Sequence, residues 1–165
     1  MEQPKLLNTY DLLNSNLFKI PKYQRPYSWT KTELTDLFSD IRDVFNKEKE
    51  HFMATIVTVK LDIERDQGKP FDRLEVVDGQ QRLTSICILL KTISISLKNK
   101  KNNGIRNTIE EILVKNKNNK LIIIDTNYDT QSIFSNYIRQ GKEPGQDFKP
   151  KTITEQRLIE AINIS

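Results

Sequence analysis

Leu74-Glu75-Val76-Val77-Asp78-Gly79-Gln80-Gln81-Arg82-Leu83-Thr84-Ser85-Ile86-Cys87 decides the architecture, because its pattern changes in mid-course. Leu74 to Val77 reads as a strand, and Asp78-Gly79 breaks it. From about Gln81 to Leu97 apolar residues cover most of a helical circumference, the mark of a largely buried helix. A buried strand feeding a buried helix implies an α/β (α+β) fold, with ligand chemistry expected at the junction.

Working upstream, Phe52 to Val59 is β-branched and strand-like. The turn signal Asp66-Gln67-Gly68-Lys69-Pro70 makes it the antiparallel partner of the first strand. Thr30-Lys31-Thr32-Glu33 is a capping box, with Leu34, Leu37, Phe38, Ile41, Val44 and Phe45 at helical spacing behind it. It predicts a helix over about 31–48. Asn8 caps a short helix, and Leu17 to Ile20 is extended before Pro21.

Downstream, 98–104 is a polar loop and 105–115 an amphipathic helix with Ile105, Ile109, Ile112 and Leu113 inward. Leu121 to Ile124 suggests a strand. Asp129 or Thr130 caps a helix carrying Ile133, Phe134, Tyr137 and Ile138. Two Gly and two Pro make 141–150 a linker, and Thr154 opens a last helix that reaches Ser165 without a stop signal. The expectation is one domain over 1–140, then a linker and the start of a further helical region over 141–165, the whole being a piece of a longer protein. No internal repeat is visible.

Composition removes most enzyme signatures. One histidine, His51, excludes a zinc site built on two, and one cysteine, Cys87, excludes an intrachain disulfide. Five scattered glycines form neither a dinucleotide fingerprint nor a Walker A loop. The first residues are no signal peptide and Leu83 to Leu97 is too short and polar to span a bilayer, so a cytoplasmic protein with no membrane partner is expected. Of the net charge of +4, the excess lies in Lys98 to Lys120, where seven Lys or Arg face two Glu. Such Lys/Asn runs are usually solvated loops.

Two stretches can carry chemistry. At Asp78-Gly79-Gln80-Gln81-Arg82, Gly79 permits positive φ, and the helix start offers free N–H groups and a positive dipole for phosphate. Arg82 adds a bidentate cation, Asp78 a ligand for a divalent metal, and Gln80 and Gln81 hydrogen bonds to a ligand or a water. The plainer reading is a D-G turn, a capping Asp and helix-forming Gln. Against it stands the density of large polar side chains where a turn needs only the glycine. The second stretch is Pro21-Lys22-Tyr23-Gln24-Arg25-Pro26-Tyr27-Ser28-Trp29, whose aromatics can stack on a base and whose Arg25 can reach a phosphate. Here Trp29 is better read as stapling the capping-box helix to the core; for Gln24 and Arg25 function and structure weigh evenly.

The pairing of P-x-Y-Q-R-P-Y-x-W with V-D-G-Q-Q-R-L-T some fifty residues later resembles the N-terminal domain of GmrSD-type restriction endonucleases, related to the ParB/sulfiredoxin-like nuclease superfamily. The likeness extends from about Leu6 to Tyr137. It implies a small sheet with packed helices, followed by a more helical segment. One departure is visible: where the family usually reads F-L-G-S-I, this chain has Phe52-Met53-Ala54-Thr55-Ile56. The resemblance further implies prokaryotic, modification-dependent defence against DNA, with a nucleoside triphosphate and Mg²⁺ bound and hydrolysed here. A separate His-Asn-His nuclease domain or subunit would cut the DNA. By the same likeness Asp78, Gln81 and Arg82 are catalytic, with Asp78 on the metal. Gly79, Gln80, Thr84, Tyr23, Gln24 and Arg25 are then nucleotide-binding. A non-catalytic module gripping DNA phosphates through both Arg motifs is the alternative, and a purely structural tie of Arg25 and Arg82 at the junction is a third reading.

Overall fold

A computed structural model describes residues 5–47, 55–66, 68–98, 102–115, 120–125 and 131–165. Its helices are α1 (Thr9–Asn14), α2 (Lys31–Lys47), α3 (Gln80–Ser96), α4 (Asn103–Leu113), α5 (Gln131–Gln140) and α6 (Ile153–Ile164). The strands are β1 (Asn16–Lys19), β2 (Val57–Asp66), β3 (Lys69–Asp78), β4 (Val114–Lys115), β5 (Lys120–Leu121) and β6 (Ile123–Asp125). The mixed α/β content is that expected.

The main sheet has the order β2-β3-β1-β6. β2 and β3 are an antiparallel hairpin running from Val57↔Asp78 to Asp66↔Lys69. β1 pairs parallel with both β3 and β6. A four-residue strand therefore lies at the centre of the sheet, where Phe18 is fully buried. β4 and β5 form a separate small antiparallel pair.

The hairpin is longer than the apolar pattern indicates. The sequence places a strand at 52–59, but β2 runs from Val57 to Asp66, and 52–54 lie outside the described residues. The charged 60–65 stretch is strand because its charges pair across to β3. Lys60 meets Asp72 at 2.8 Å and Asp62 meets Arg73 at 3.0 Å, the opposite-charge pairs that stabilise antiparallel strands. β2 therefore continues to Asp66 and β3 starts at Lys69, with Gly68 just before it at φ 82°.

Other boundaries shift for local reasons. α4 stops at Leu113, and Val114-Lys115 turns into β4. The expected strand 121–124 divides: Leu121 serves the small sheet and Ile123 pairs with Phe18 of β1. Between them the Ile122 N–H donates to Leu113 O, and Ile122 O accepts from Phe18 N. α6 is capped by Thr152 and not by Thr154. Thr152 Oγ1 accepts from Glu155 N, and the Glu155 carboxylate accepts from Thr152 N. The cap expected at Asp129 or Thr130 lies outside the described residues.

α3 organises the core. Leu83, Cys87 and Ile88 are buried on it, and it packs against α4, α5 and α6. Phe18, Ile20 and Val76 of the sheet side, Leu34 and Leu37 of α2, and Phe134, Tyr137, Leu158 and Ala161 of α5 and α6 join the same cluster. The helix after the 141–150 stretch thus packs into this core, against α2, α3 and α5. Burial of each such side chain contributes about 1.5–3 kcal/mol, so the β3–α3 junction is rigidly held. No helix among the described residues is long and apolar enough to cross a membrane.

Candidate functional site

Strand β3 ends at Asp78 and α3 begins at Gln80, with only Gly79 between them. Gly79 adopts φ 91°, ψ 7°, the left-handed region that suits glycine. A Cβ there would also stand 3.1 Å from Thr55 O and 3.2 Å from Ile56 Cγ1. The sharp reversal and the close approach of the chain before β2 therefore require this residue. The departure at Ala54 lies outside the described residues.

The first-turn amides of α3 have no acceptor within the helix, and among the described residues no side chain caps them. Asp78 turns back on the loop instead, its Oδ1 accepting from Gly79 N at 2.8 Å.

The segment 21–29 folds over this junction and closes a cleft of about 370 Å³. Gln24, Arg25 and Trp29 line it from one side, and Asp78 to Arg82 from the other. Two motifs half a hundred residues apart in sequence thus meet at one site. Several bonds hold them together. Gln24 Nε2 donates to Val77 O at 2.7 Å, and the buried Tyr27 hydroxyl lies 2.8 Å from Ser85 Oγ. The Gln81 carboxamide does most: its Oε1 accepts from Ser28 N at 2.9 Å and its Nε2 donates to Pro26 O at 3.0 Å.

The arginines behave differently. Among the described residues neither Arg25 nor Arg82 has an ion-pair or hydrogen-bond partner. Arg82 lies over the indole of Trp29, 5.7 Å from the ring centroid. That stacking steadies the guanidinium without neutralising it. A tie of the junction by buried hydrogen bonds from the two arginines is thus absent among these residues; Gln81 makes those bonds.

The remaining site residues are distributed unevenly. Gln80 is buried at the cleft floor. Thr84 is fully buried one turn into α3 and does not line the cleft. Tyr23 is outside it too, exposed and hydrogen-bonded to Glu75 at 3.3 Å. For Trp29 the sequence allows stacking but favours a staple. It does pack against the core, but it also lines the cleft beneath Arg82. Cys87 is buried, and burial pushes its thiol up to about 12, so it stays neutral and packs as a small apolar group. His51 lies outside the described residues.

The sequence matches the family described as GmrSD restriction endonuclease, N-terminal domain, over residues 7–164. The chain belongs to this family. Membership gives it a role in a DNA-acting restriction and defence protein. No curated protein matches the chain. In this GmrSD N-terminal domain the match takes in both motif segments that form the cleft and continues through α6. Among the described residues no group of three or more His, Cys, Asp or Glu is placed to hold a metal by itself. A cation here would be shared between Asp78 and the oxygens of a ligand.

Proposed function

We propose that the cleft binds a nucleoside triphosphate with Mg²⁺ and hydrolyses it, as the regulatory part of a modification-dependent restriction protein in the prokaryotic cytoplasm. DNA cleavage is then the work of a separate His-Asn-His nuclease domain or subunit. The observation that carries this reading is that Arg25 and Arg82, neither hydrogen-bonded nor ion-paired among the described residues, line one cleft with an uncapped helix N-terminus. Like charges gathered in that way await an anion, and a polyphosphate offers both the charge and the length.

Asp78 fits a magnesium ion of the phosphate-sharing kind. It is exposed at the cleft, one oxygen is held by Gly79 N, and the other has no partner among the described residues. When bound, Mg²⁺ would neutralise phosphate charge as it builds on the leaving group. Arg82 and Arg25 would orient the phosphates, and Gln80 would present its amide to the attacking water. The oxygen of that water bonds to the terminal phosphorus while the bridging P–O bond breaks, releasing nucleoside diphosphate and inorganic phosphate.

The sole tryptophan, Trp29, makes the test direct. Titrating each of the four nucleoside triphosphates, with and without Mg²⁺, should change Trp29 emission for at least one, with phosphate release in the same tube. No emission change and no phosphate at millimolar nucleotide would overturn the reading. Arg25 is exposed at the rim, which also suits a DNA phosphate. If duplex DNA alone changes the emission, with a steep salt dependence, the non-catalytic DNA module is the better account.

A further inference from the structure

We infer that Gln81 is a positioning residue, the latch that holds the Arg25 loop over the cleft, and that it does not itself act on the ligand. The inference rests on the nucleotide reading for its functional consequence, but the latch is visible without any ligand. Gln81 is 4% exposed and its carboxamide is engaged at both ends by one short stretch of backbone. It accepts from Ser28 N and donates to Pro26 O, the two peptide groups that flank Tyr27. Tyr27 is anchored in the core and Gln24 is held to Val77 O, which leaves the angle of the Pro26–Ser28 backbone to a further contact. Gln81 supplies that contact. The residues aimed by it are those just outside the clamp: Arg25 before Pro26, and Trp29 after Ser28.

Glutamine is the side chain that does this. The site needs one acceptor and one donor side by side, facing two consecutive peptide groups, from a neutral group in a sheltered place. A carboxylate supplies only acceptors and would face Pro26 O with repulsion; a protonated carboxylic acid supplies both. Asn is one carbon shorter. The chemistry of the latch therefore allows a pH rescue: Gln81→Glu should be open when ionised and closed when protonated, whereas Gln81→Met, of similar size with no donor, should be open at every pH.

The experiment follows Trp29 emission in the full chain without nucleotide, from pH 5 to pH 8, for wild type, Gln81→Glu and Gln81→Met. The expected result is a wild-type spectrum nearly constant with pH. Gln81→Glu should match it at pH 5 and shift towards that of Gln81→Met at pH 8. Trypsin cleavage after Lys22 at pH 8 should be faster in both variants than in wild type. Nucleotide affinity, measured at both pH values and taken as a ratio to wild type, should fall roughly tenfold for Gln81→Glu at pH 8 and recover at pH 5. Were Gln81→Met to keep the wild-type spectrum and protease resistance, there would be no latch. If the latch titrates but affinity does not follow it, Gln81 does not position the site. If wild type binds no nucleotide while the emission and proteolysis results hold, the latch stands and the nucleotide reading fails. A direct ligand contact by Gln81 would instead lower affinity with emission and proteolysis of the free protein unchanged, and that outcome would overturn the inference.

Discussion

Arg82 stacks on Trp29, its guanidinium carbon 5.7 Å from the ring centroid, and no carboxylate among the described residues neutralises it. The two residues come from the two separate motifs, so the contact couples them. It leaves the N–H fork of Arg82 available to an anion. Arg82→Ala should therefore weaken nucleotide binding roughly ten- to hundredfold, the worth of hydrogen bonds to a charged group. The melting temperature of the free protein should stay close to wild type, because no buried acceptor loses its donor. Trp29→Leu should cost about two- to fivefold in affinity, the scale of an exposed cation–π contact. Melting curves with and without nucleotide and Mg²⁺ check both. A large drop in the unliganded melting temperature of Arg82→Ala, with no nucleotide shift in wild type, would refute the assignment.

Gly79→Ala should destabilise the fold by roughly 1–3 kcal/mol, because an alanine is strained in the left-handed region. Its Cβ would also press on Thr55 O and Ile56, neither of which can withdraw without moving the approach to β2. Urea unfolding followed by Trp29 emission measures the loss. An unchanged midpoint would mean that the β3–α3 turn is more adaptable than φ 91° implies.

Thr92 Oγ1 lies 3.1 Å from Ile88 O and 2.7 Å from the Tyr137 hydroxyl, joining α3 to α5. Ile88 O can only accept, so Thr92 spends its one proton there and accepts from the Tyr137 hydroxyl. Thr92→Ala then strands a buried phenol and should cost about 1–3 kcal/mol, whereas Tyr137→Phe should cost about 0.5–1.5 kcal/mol. In the double variant the penalties should be less than additive. Additive penalties in denaturant unfolding would show that the two hydroxyls do not depend on each other.

The fold was legible where its signals are local. The capping box at Thr30 and the apolar spacing behind it gave α2 almost to the residue, and the glycine turn gave the β2–β3 pairing. What escaped were features set by distant chain. Nothing local to Leu17-Phe18-Lys19 says that it lies between β3 and β6, since parallel pairing is decided by the crossovers. The charges of 60–65 read as loop until their partners on β3 are known. Within the cleft, the meeting of Gln24 and Arg25 with Asp78 to Arg82 agrees with the pairing of the two motifs. The division of labour between Gln81 and Arg82 was not legible. Adjacent polar residues at a helix start look alike, and only the path of the Pro26–Ser28 backbone distinguishes the one that clamps from the one left free.

Lys115 gives the last prediction, a pH dependence of stability. It is 3% exposed, its Nζ donates to Leu13 O at 2.7 Å and Asn14 O at 3.1 Å, and it stands 5.6 Å from the Phe71 ring centroid. It thus caps the carbonyl end of α1, where a cation is favoured. Burial nevertheless outweighs this and pushes the ammonium down from its ordinary 10.5 to about 8. The unfolded chain therefore holds this proton more tightly than the folded one. Between about pH 8 and 10.5 the unfolded state binds more protons at this site, so stability from Lys115 rises with pH across that window. Below pH 8 both states are charged, and the burial penalty is fully present and constant. Cys87 acts in the opposite sense at higher pH, because its thiol is held up to about 12. The clean comparison is thus the difference in unfolding free energy between wild type and Lys115→Met, which share Cys87. That difference should move in favour of wild type as pH rises from 7.5 to 9.5. A difference that stays flat over the interval would mean that the Leu13 and Asn14 carbonyls compensate the buried charge in full.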